Sequence, residues 1–339
     1  MKNISLLVFV SLLLAVCTAT AQPLGYVANY GSDTVTVLDI DAQAVVGSPI
    51  PVGNSPAALA VSPDGTRVWV ANRYGGTVSV IDTSTHTVTD TVTVPGAPTG
   101  LAILPDGSKL YVSLYLSDEA VVVDTATLGV GTPFAVGDYP TAVEVLHDGS
   151  AVYVGNNDSN NVSVIDTATD TVVATVAVGA YPTDVTATSD DAWIYTANYN
   201  DGTLTRIDTA TNAVVGGPIS ACTLSSKIAI HPSGDWAYVT CVGQNTIVQL
   251  DLSTDVVVGS PIAVGTRPIG IAFSGDGSTA WVPNYDDGTV SVVDTSTHSV
   301  VTTITVGTSP WGIAIHDTSA VFADGFESGD TGRWSQAVP

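Results

Sequence analysis

Residues 56–72 read PAALAVSPDGTRVWVAN: a proline, a short apolar strand, a tight turn and a second apolar strand that ends in asparagine. This pattern returns along nearly the whole chain at intervals of 42 or 43 residues. A repeat of this length, made of short strands and turns, is typical of blades arranged in a ring, each blade a four-stranded sheet. The repeat therefore predicts an all-β protein built from copies of one small sheet.

Seven copies can be counted from two marker positions. The position that opens each inner strand is occupied by Pro56, Pro98, Pro140, Pro182, Ser225, Pro268 and Pro310. The position that ends each second strand is occupied by Asn29, Asn72, Leu114, Asn156, Asn198, Cys241 and Asn284. We therefore predict a seven-bladed β-propeller of four-stranded antiparallel blades.

The two ends of the repeat region are incomplete in complementary ways. The chain enters the pattern at a second strand, residues 25–29, and the last copy stops after an inner strand, residues 311–315. A ring must be fastened where its ends meet, because an open sheet edge exposes unpaired backbone groups. We expect these two strands to pair, so that N- and C-terminal strands close one blade.

Composition supports a sheet protein and excludes some partners. Of the 339 residues, 45% are hydrophobic and 12% are charged. The apolar segments are rich in Val, Ile and Thr, which favour strands. The chain has 8 basic and 32 acidic residues, a net charge of −24. Nucleic acids and anionic membranes bind clustered Lys and Arg, which are missing here, so we expect neither as a partner.

The first residues have the order of a secretory signal peptide: Lys2, an apolar run over residues 4–16, and small residues before Gln22. We predict cleavage after residue 21 and a secreted, extracellular or periplasmic protein with a net charge of about −25, since one base and no acid are removed. Lipid attachment at Cys17 is the alternative, but Val16 stands where lipoprotein motifs have a small residue, so we expect no lipid anchor.

The rest of the chain is predicted to be one domain and a tail. No segment after the signal reaches the roughly twenty apolar residues that span a bilayer, so we expect no transmembrane span. We assign residues 1–21 to the signal peptide, 22–318 to the propeller and 319–339 to a C-terminal tail. The tail is either a sorting or docking tag or a disordered end. We expect a monomer.

The repeats resemble the YVTN-type propeller repeats of bacterial and archaeal surface-layer and secreted proteins. The clearest copies are residues 68–72 with 77–82, and residues 152–156 with 161–166. This resemblance implies an extracellular or cell-surface scaffold and brings no shared catalytic residues with it. Because the copy from Ala221 to Asp251 departs most from the pattern, we expect it to form the least regular blade.

That copy contains two cysteines at marker positions. Cys222 stands where neighbouring copies have the glycine of a Val-Gly pair, and Cys241 stands at the asparagine position. In the predicted blade both lie on the same side of adjacent strands. In an exported protein this arrangement predicts a disulfide, with two buried free cysteines as the alternative.

An aspartate recurs at the turn after each third strand. The seven are Asp39, Asp82, Asp124, Asp166, Asp208, Asp251 and Asp294. Each lies in its own hairpin near the periphery, too far from the others to share a cation. We interpret each as capping its own turn.

The loops at the asparagine end of the second strands, with those that enter the inner strands, should meet on one face around the channel. They carry aromatic residues and arginines, to which Lys227 adds a further base. We predict a protein- or glycan-binding surface at Tyr30, Arg73, Tyr115, Tyr139, Tyr181, Tyr199, Arg267, Tyr285 and Trp311. The alternative is that these rings only pack against neighbouring loops. We expect no cofactor, although acidic residues in the same loops would suit Ca²⁺.

Catalysis has little support in the sequence. The five histidines occupy turns and strand ends without the partners that a zinc or copper site needs, so we predict no metal site and no catalytic residues. Glu144 is the one acid that we place inside the channel. The sequence therefore favours a non-catalytic scaffold that binds a protein or glycan through the loop face, with a metal-assisted hydrolase of the lactonase type as the alternative.

Overall fold

A computed structural model describes residues 22–316, and its regular structure is entirely β-strand. The predicted signal segment and tail lie outside the described residues. Seven sheets form a closed propeller, as predicted. Within the described part of the chain there is no helix able to cross a membrane.

The strands are grouped by blade. Blade I begins with β1 (Leu24–Asn29), β2 (Thr34–Asp39) and β3 (Ala44–Pro51). Blade II contains β4 (Pro56–Val61), β5 (Arg67–Asn72), β6 (Thr77–Asp82) and β7 (Thr87–Thr93). Blade III contains β8 (Pro98–Ile103), β9 (Lys109–Leu114), β10 (Glu119–Asp124) and β11 (Phe134–Ala135). Blade IV contains β12 (Pro140–Val145), β13 (Ala151–Asn156), β14 (Asn161–Asp166) and β15 (Thr171–Ala177).

The remaining blades follow in the same order around the ring. Blade V contains β16 (Pro182–Ala187), β17 (Trp193–Asn198), β18 (Thr203–Asp208), β19 (Ala213–Val214) and β20 (Ile219–Ser220). Blade VI contains β21 (Ser225–Ile230), β22 (Trp236–Cys241), β23 (Thr246–Asp251) and β24 (Val256–Ala263). Blade VII contains β25 (Ala272–Phe273), β26 (Thr279–Asn284), β27 (Thr289–Asp294) and β28 (Ser299–Thr305). The last strand, β29 (Pro310–His316), returns to blade I.

Ring closure follows the prediction. β29 is the inner strand of blade I and pairs antiparallel with β1, with Ala314 opposite Tyr26 and Ile313 opposite Val27. Val27, Ile313 and Ile315 belong to an apolar cluster that also contains residues of blade VII. The two ends of the described chain are therefore joined by backbone hydrogen bonds and by a shared core.

The core lies between blades. Each second strand buries one large aromatic side chain, and the seven are Tyr26, Trp69, Tyr111, Tyr153, Tyr195, Tyr238 and Trp281. Tyr111 of blade III, for example, packs with Val152, Val154 and Ile165 of blade IV. Replacing such a ring by alanine typically costs about 3–5 kcal/mol, because a large cavity is left. The regular spacing of these rings holds neighbouring blades in register.

The recurring aspartates cap their own hairpins, as predicted. Asp82 is representative: its Oδ1 accepts hydrogen bonds from the backbone N–H of Ser84 and of Thr85, each at 2.9 Å. Hydrogen bonds from Ser84 and Thr85 lower the pKa of Asp82, so the carboxylate stays ionised. The other six aspartates each accept at least one backbone N–H in the same way.

The marker asparagines have a structural role. Asn284 Nδ2 donates to the hydroxyls of Thr289 (3.0 Å) and Ser291 (2.9 Å), and its Oδ1 accepts from the backbone N–H of Gly265 (3.0 Å). A side chain at Gly265 would collide with the Asn284 amide, because its Cβ would lie 2.6 Å from Nδ2. Equivalent close contacts occur at Gly53, Gly137, Gly179 and Gly307. The asparagine side chain therefore requires a glycine at the position that it contacts.

Blade VI replaces this pair by the predicted disulfide. Cys222 and Cys241 are bonded with their Cα atoms 5.7 Å apart. Cys222 takes the glycine position and Cys241 the asparagine position, so a covalent bond connects the two points that touch in five other blades. In other blades the hydroxyl at the position of Thr246 accepts a hydrogen bond from the marker asparagine. Thr246 Oγ1 is buried and has no hydrogen-bond partner among residues 22–316.

The prediction that blade VI is the least regular was wrong. Its four strands are 6 to 8 residues long and pair in order across the sheet, with a register shift in two of the three strand pairs. Shorter strands occur in other blades: the inner strand β25 of blade VII has 2 residues. In the outer strands of blades III and V, β11 has 2 residues and β19 and β20 split the edge. Those edges contain Gly129, Gly131 and Pro133, and residues 216–218 (Gly-Gly-Pro), which weaken strand pairing.

Candidate functional site

The centre of the ring is a cavity of about 480 Å³ lined by the inner strands and by loops at one end. Six of the nine predicted binding residues line this cavity: Arg73, Tyr115, Tyr181, Tyr199, Arg267 and Trp311. The other three, Tyr30, Tyr139 and Tyr285, pack their rings against members of that set. The structure therefore brings all nine residues to one end of the channel, which we call the aromatic mouth.

One side of the aromatic mouth is apolar. The ring centroid of Trp311 lies 5.0 Å from that of Tyr30 and 5.7 Å from that of Tyr285. Tyr74 lies 6.1 Å from Tyr30 and is 62% exposed. Burial and, secondly, a hydrogen bond with Tyr74 raise the pKa of Tyr30 to about 12, so the Tyr30 hydroxyl stays protonated and can donate a hydrogen bond.

The adjoining part of the aromatic mouth combines tyrosines with a guanidinium group. Arg73 Cζ lies 4.0 Å from the ring centroid of Tyr115, and the Tyr115 ring lies 4.8 Å from that of Tyr139. Burial raises the pKa of Tyr115, and a hydrogen bond with Tyr181 adds to this effect. Tyr181 in turn lies 6.2 Å from Tyr199. The rings thus continue around the rim from blade III to blade V.

Two acids and one base lie deeper in the channel. Lys227 Nζ donates to Asp184 Oδ1 at 2.6 Å, and the backbone N–H of Ile228 donates to Asp184 Oδ2 at 2.8 Å. Burial raises the pKa of Asp184, while Lys227 acts in the opposite direction. Glu144 accepts from the backbone N–H of Ala187 at 3.1 Å, and burial raises its pKa to about 7.

Sequence reasoning placed Glu144 correctly in the channel but missed Asp184 and Tyr74. Asp184 occupies an inner-strand position where five other blades have small residues: Ala58, Gly100, Ala142, Gly270 and Gly312. A charge at a small-residue position of the repeat is a signal that could have revealed it. Tyr74 lies one residue beyond the repeated aromatic position, where no other copy has an aromatic residue, so no repeat signal marks it.

The acidic loops around the aromatic mouth use their carboxylates to hold the loops together. Asp33 accepts from the backbone N–H of Ser55 at 2.8 Å, and Asp118 from that of Tyr139 at 2.9 Å. Asp287 binds the backbone N–H of Thr266 in the same way, at 2.6 Å. Among residues 22–316, no three His, Cys, Asp or Glu side chains are grouped so that they could hold a metal ion.

The histidines lie away from the aromatic mouth. His86 and His298 occupy hairpin turns with φ of +54° and +50°. His147 Nδ1 lies 2.7 Å from Asp191 Oδ1, on the face opposite the aromatic mouth. His231 stacks on Trp236 with ring centroids 4.4 Å apart. These contacts give the histidines structural roles at turns and blade junctions.

The fold and the aromatic mouth define a seven-bladed β-propeller with an open, aromatic-lined channel. Residues 11–149, less than half of the chain, match the family model of YNCE-like β-propellers, so this part is similar to that family. No curated protein matches the sequence.

Solved structures share the fold at low sequence identity. Hydrazine synthase of Kuenenia stuttgartiensis is 21% identical with a TM-score of 0.70, covering 76% of this chain and 88% of its own. A functionally unknown protein from Desulfotomaculum acetoxidans is 15% identical with a TM-score of 0.76, covering 86% and 98%. A candidate 6-phosphogluconolactonase from Bacteroides fragilis is 16% identical with a TM-score of 0.74, covering 88% and 99%. These likenesses show the fold alone.

Proposed function

We propose that this protein is an exported, non-catalytic scaffold that acts outside the cell, at its surface or in the periplasm, and binds a protein or glycan through the aromatic mouth. The observation that carries the proposal is the convergence of aromatic and arginine side chains from six of the seven blades on the rim of one cavity. Tyr, Trp and Arg are the residue types that carry most binding energy at interfaces, and the rings of Tyr and Trp lose little side-chain entropy.

The shape of the cavity suits a ligand that inserts one end. Its volume of about 480 Å³ falls within the range of about 300–1,000 Å³ that is usual for ligand pockets. A saccharide end or a protruding loop of a partner protein would place its tip between the inner strands. The rim rings, among them Trp311 and Tyr30, would then cover the remainder.

Location outside the cytoplasm is supported by three features. The Cys222–Cys241 disulfide would persist in an oxidising compartment, where such bonds are normally found. The N-terminal sequence has the order of a cleavable signal peptide, and the repeats resemble those of surface-layer and secreted propellers.

The channel acids fit the binding role better than the metal-assisted hydrolase alternative. A metal ion needs ionised oxygen ligands that are free to coordinate it. Both oxygens of Asp184 are engaged, by Lys227 and by the backbone of Ile228. Burial favours the neutral form of Glu144, which as a carboxylic acid can donate a hydrogen bond to a ligand.

A binding experiment on the exported protein tests the proposal. We would apply it to a glycan array and to cross-linking with intact cell-surface proteins, and compare Trp311→Ala with Trp193→Ala. Trp193 is a matched control, because it is a tryptophan whose ring also packs against a neighbouring side chain, with Arg206 Cζ 4.6 Å from the ring, but it lies at the far end of a second strand. We expect binding that Trp311→Ala weakens at least tenfold and Trp193→Ala preserves. Equal binding by both variants would contradict the proposal, as would failure to bind either class of ligand.

A further inference from the structure

We propose that the ligand of the aromatic mouth is an acidic saccharide and that Arg73 pairs with its carboxylate. This inference rests on the proposed function and specifies the chemistry of the same site. It follows from the distribution of charge around the channel, from the environment of the Arg73 guanidinium, and from the arrangement of the neighbouring tyrosine rings.

Basic residues are scarce, yet they gather at the channel. Residues 22–316 contain six of them, and three line the cavity: Arg73, Lys227 and Arg267. Lys227 is paired with Asp184 at 2.6 Å, and Arg267 lies 3.6 Å from Asp286. Within the described residues, no carboxylate lies within 4.0 Å of the Arg73 guanidinium. Of the three bases that line the cavity, Arg73 is therefore the one whose charge is not matched by an acid among residues 22–316.

The Arg73 side chain is held in place for recognition. Its Cζ lies 4.0 Å from the ring centroid of Tyr115 and 5.7 Å from that of Tyr74, and the residue is half-buried. Its Nε is enclosed and has no hydrogen-bond partner among residues 22–316. A guanidinium stacked on rings keeps its plane fixed, and a fixed fork of N–H donors matches a carboxylate with two parallel hydrogen bonds. A ligand anion would supply the missing counter-charge.

The rings beside Arg73 favour a saccharide over a small free anion. Tyr115 and Tyr139 lie 4.8 Å apart, and Tyr181 and Tyr199 continue the same rim. Flat aromatic surfaces of this kind receive the apolar face of a sugar ring, whereas phosphate or acetate would leave them uncovered. In a uronic-type sugar the carboxylate is attached to the ring, so one residue of the ligand can contact Arg73 and a tyrosine at the same time.

Charges inside the channel indicate the orientation of the ligand. Below the aromatic mouth lie the two acids Glu144 and Asp184 against the single base Lys227. The one base there is already paired with Asp184, so a ligand carboxylate would find no free counter-charge inside the channel and stays at the rim with Arg73. Hydroxyl groups of the saccharide then point inward, where Glu144 can accept or donate hydrogen bonds.

The test is a glycan array that presents matched neutral, carboxylated and sulfated saccharides to the full chain and to three variants. Arg73→Gln removes the fork, Arg73→Lys keeps the charge without the fork, and Arg67→Gln is the matched control. Arg67 is an exposed arginine at the opposite end of β5, where it donates to the backbone oxygen of Thr125 at 3.1 Å. Thermal unfolding of each variant checks that the fold is intact.

We expect carboxylated saccharides to bind at least about ten times more tightly than their neutral counterparts. This preference should decrease as salt is added. Arg73→Gln should abolish this preference, Arg73→Lys should keep part of it, and Arg67→Gln should leave it unchanged. Equal binding of neutral saccharides, stronger binding of sulfated ones, or a preference that survives Arg73→Gln would overturn the inference while the scaffold function stands. Binding of neither glycans nor proteins would refute the proposed function itself.

Discussion

The hydroxyl of Tyr153 donates a hydrogen bond of 2.9 Å to Oδ1 of Asn212, which lies 59 residues further along the chain in a hairpin turn of the next blade. Asn212 has φ of +51° and occupies the left-handed position of that turn. Tyr195 makes the same contact with Asp255 at 2.8 Å. The buried ring of one blade is therefore tied by its polar tip to the outer turn of its neighbour.

Tyr153→Phe should lower the free energy of unfolding by about 1 kcal/mol, because it removes one hydrogen bond and keeps the ring. Tyr26→Phe is the matched control. Tyr26 is equally buried, but its hydroxyl has no hydrogen-bond partner among residues 22–316, so we expect no loss or a small gain in stability. Urea unfolding measures both. Equal losses at the two positions would show that the inter-blade hydrogen bond contributes nothing.

The disulfide should stabilise blade VI through the unfolded chain. Replacing both Cys222 and Cys241 by alanine opens a loop with a sequence separation of 19 residues. We expect a loss of about 3 kcal/mol in the free energy of unfolding, measured in guanidinium chloride without reductant. In the parent protein, thiol titration after unfolding without reductant should detect neither sulfur.

The double variant Cys222→Gly with Cys241→Asn should be more stable than the alanine pair. It restores the contact found in five other blades, and the new amide can donate to Thr246 Oγ1, which is now without a partner among the described residues. We expect recovery of about 1 kcal/mol. If this variant is no more stable than the alanine pair, glycine and asparagine are not interchangeable with the disulfide at this site.

Removal of β29 should weaken the whole ring. A chain ending at Thr308 lacks the partner of β1 and the side chains of Ile313 and Ile315 that pack in the closing core. We expect the free energy of unfolding to fall by on the order of 5 kcal/mol, and calorimetry measures this loss. A chain ending at residue 316 is the control and should keep the stability of the full protein. If the two shortened chains unfold at the same temperature, β29 does not contribute to the stability of the ring.

Glu144 should make stability depend on pH. Its folded pKa of about 7 lies above the ordinary value of 4.5, so the folded state holds the proton more tightly than the unfolded state. The stabilisation is complete below about pH 4.5 and is lost as the pH rises through 7. Glu144→Gln should therefore gain stability relative to the parent between pH 5 and pH 8, by up to about 3 kcal/mol. Unfolding of the parent and of Glu144→Gln at pH 5 and at pH 8 measures this gain. A difference in stability between the two proteins that is the same at both pH values would contradict the prediction.

The ring could be predicted because its markers have physical causes that recur in every blade. Asn72 Nδ2 donates to Thr77 and Ser79, so the asparagine marks a hydrogen-bond network between strands. The paired departures at Cys222 and Cys241 were readable for the same reason, since each replaced one member of a contacting pair.

Contacts between blades are harder to predict from the repeat than the strands of each blade. The Asp184–Lys227 pair joins blades V and VI through the channel, and only the closed ring brings these residues together. The loss of two marker residues predicts irregularity in blade VI, but the covalent bond replaces what the asparagine does elsewhere. Local sequence reports the strands of a blade well and reports contacts between blades poorly.

The position of β29 has a consequence for synthesis of the molecule. Blade I is complete only when β29 pairs with β1. Until β29 is present, Leu24–Asn29 has one unpaired edge, even if the six intervening blades have formed. A chain that lacks β29 keeps this unpaired strand edge, which can pair with another copy of the protein. Closure of the ring therefore depends on the strand of the propeller that is made last, and chains that lack it should be the ones that aggregate or are degraded.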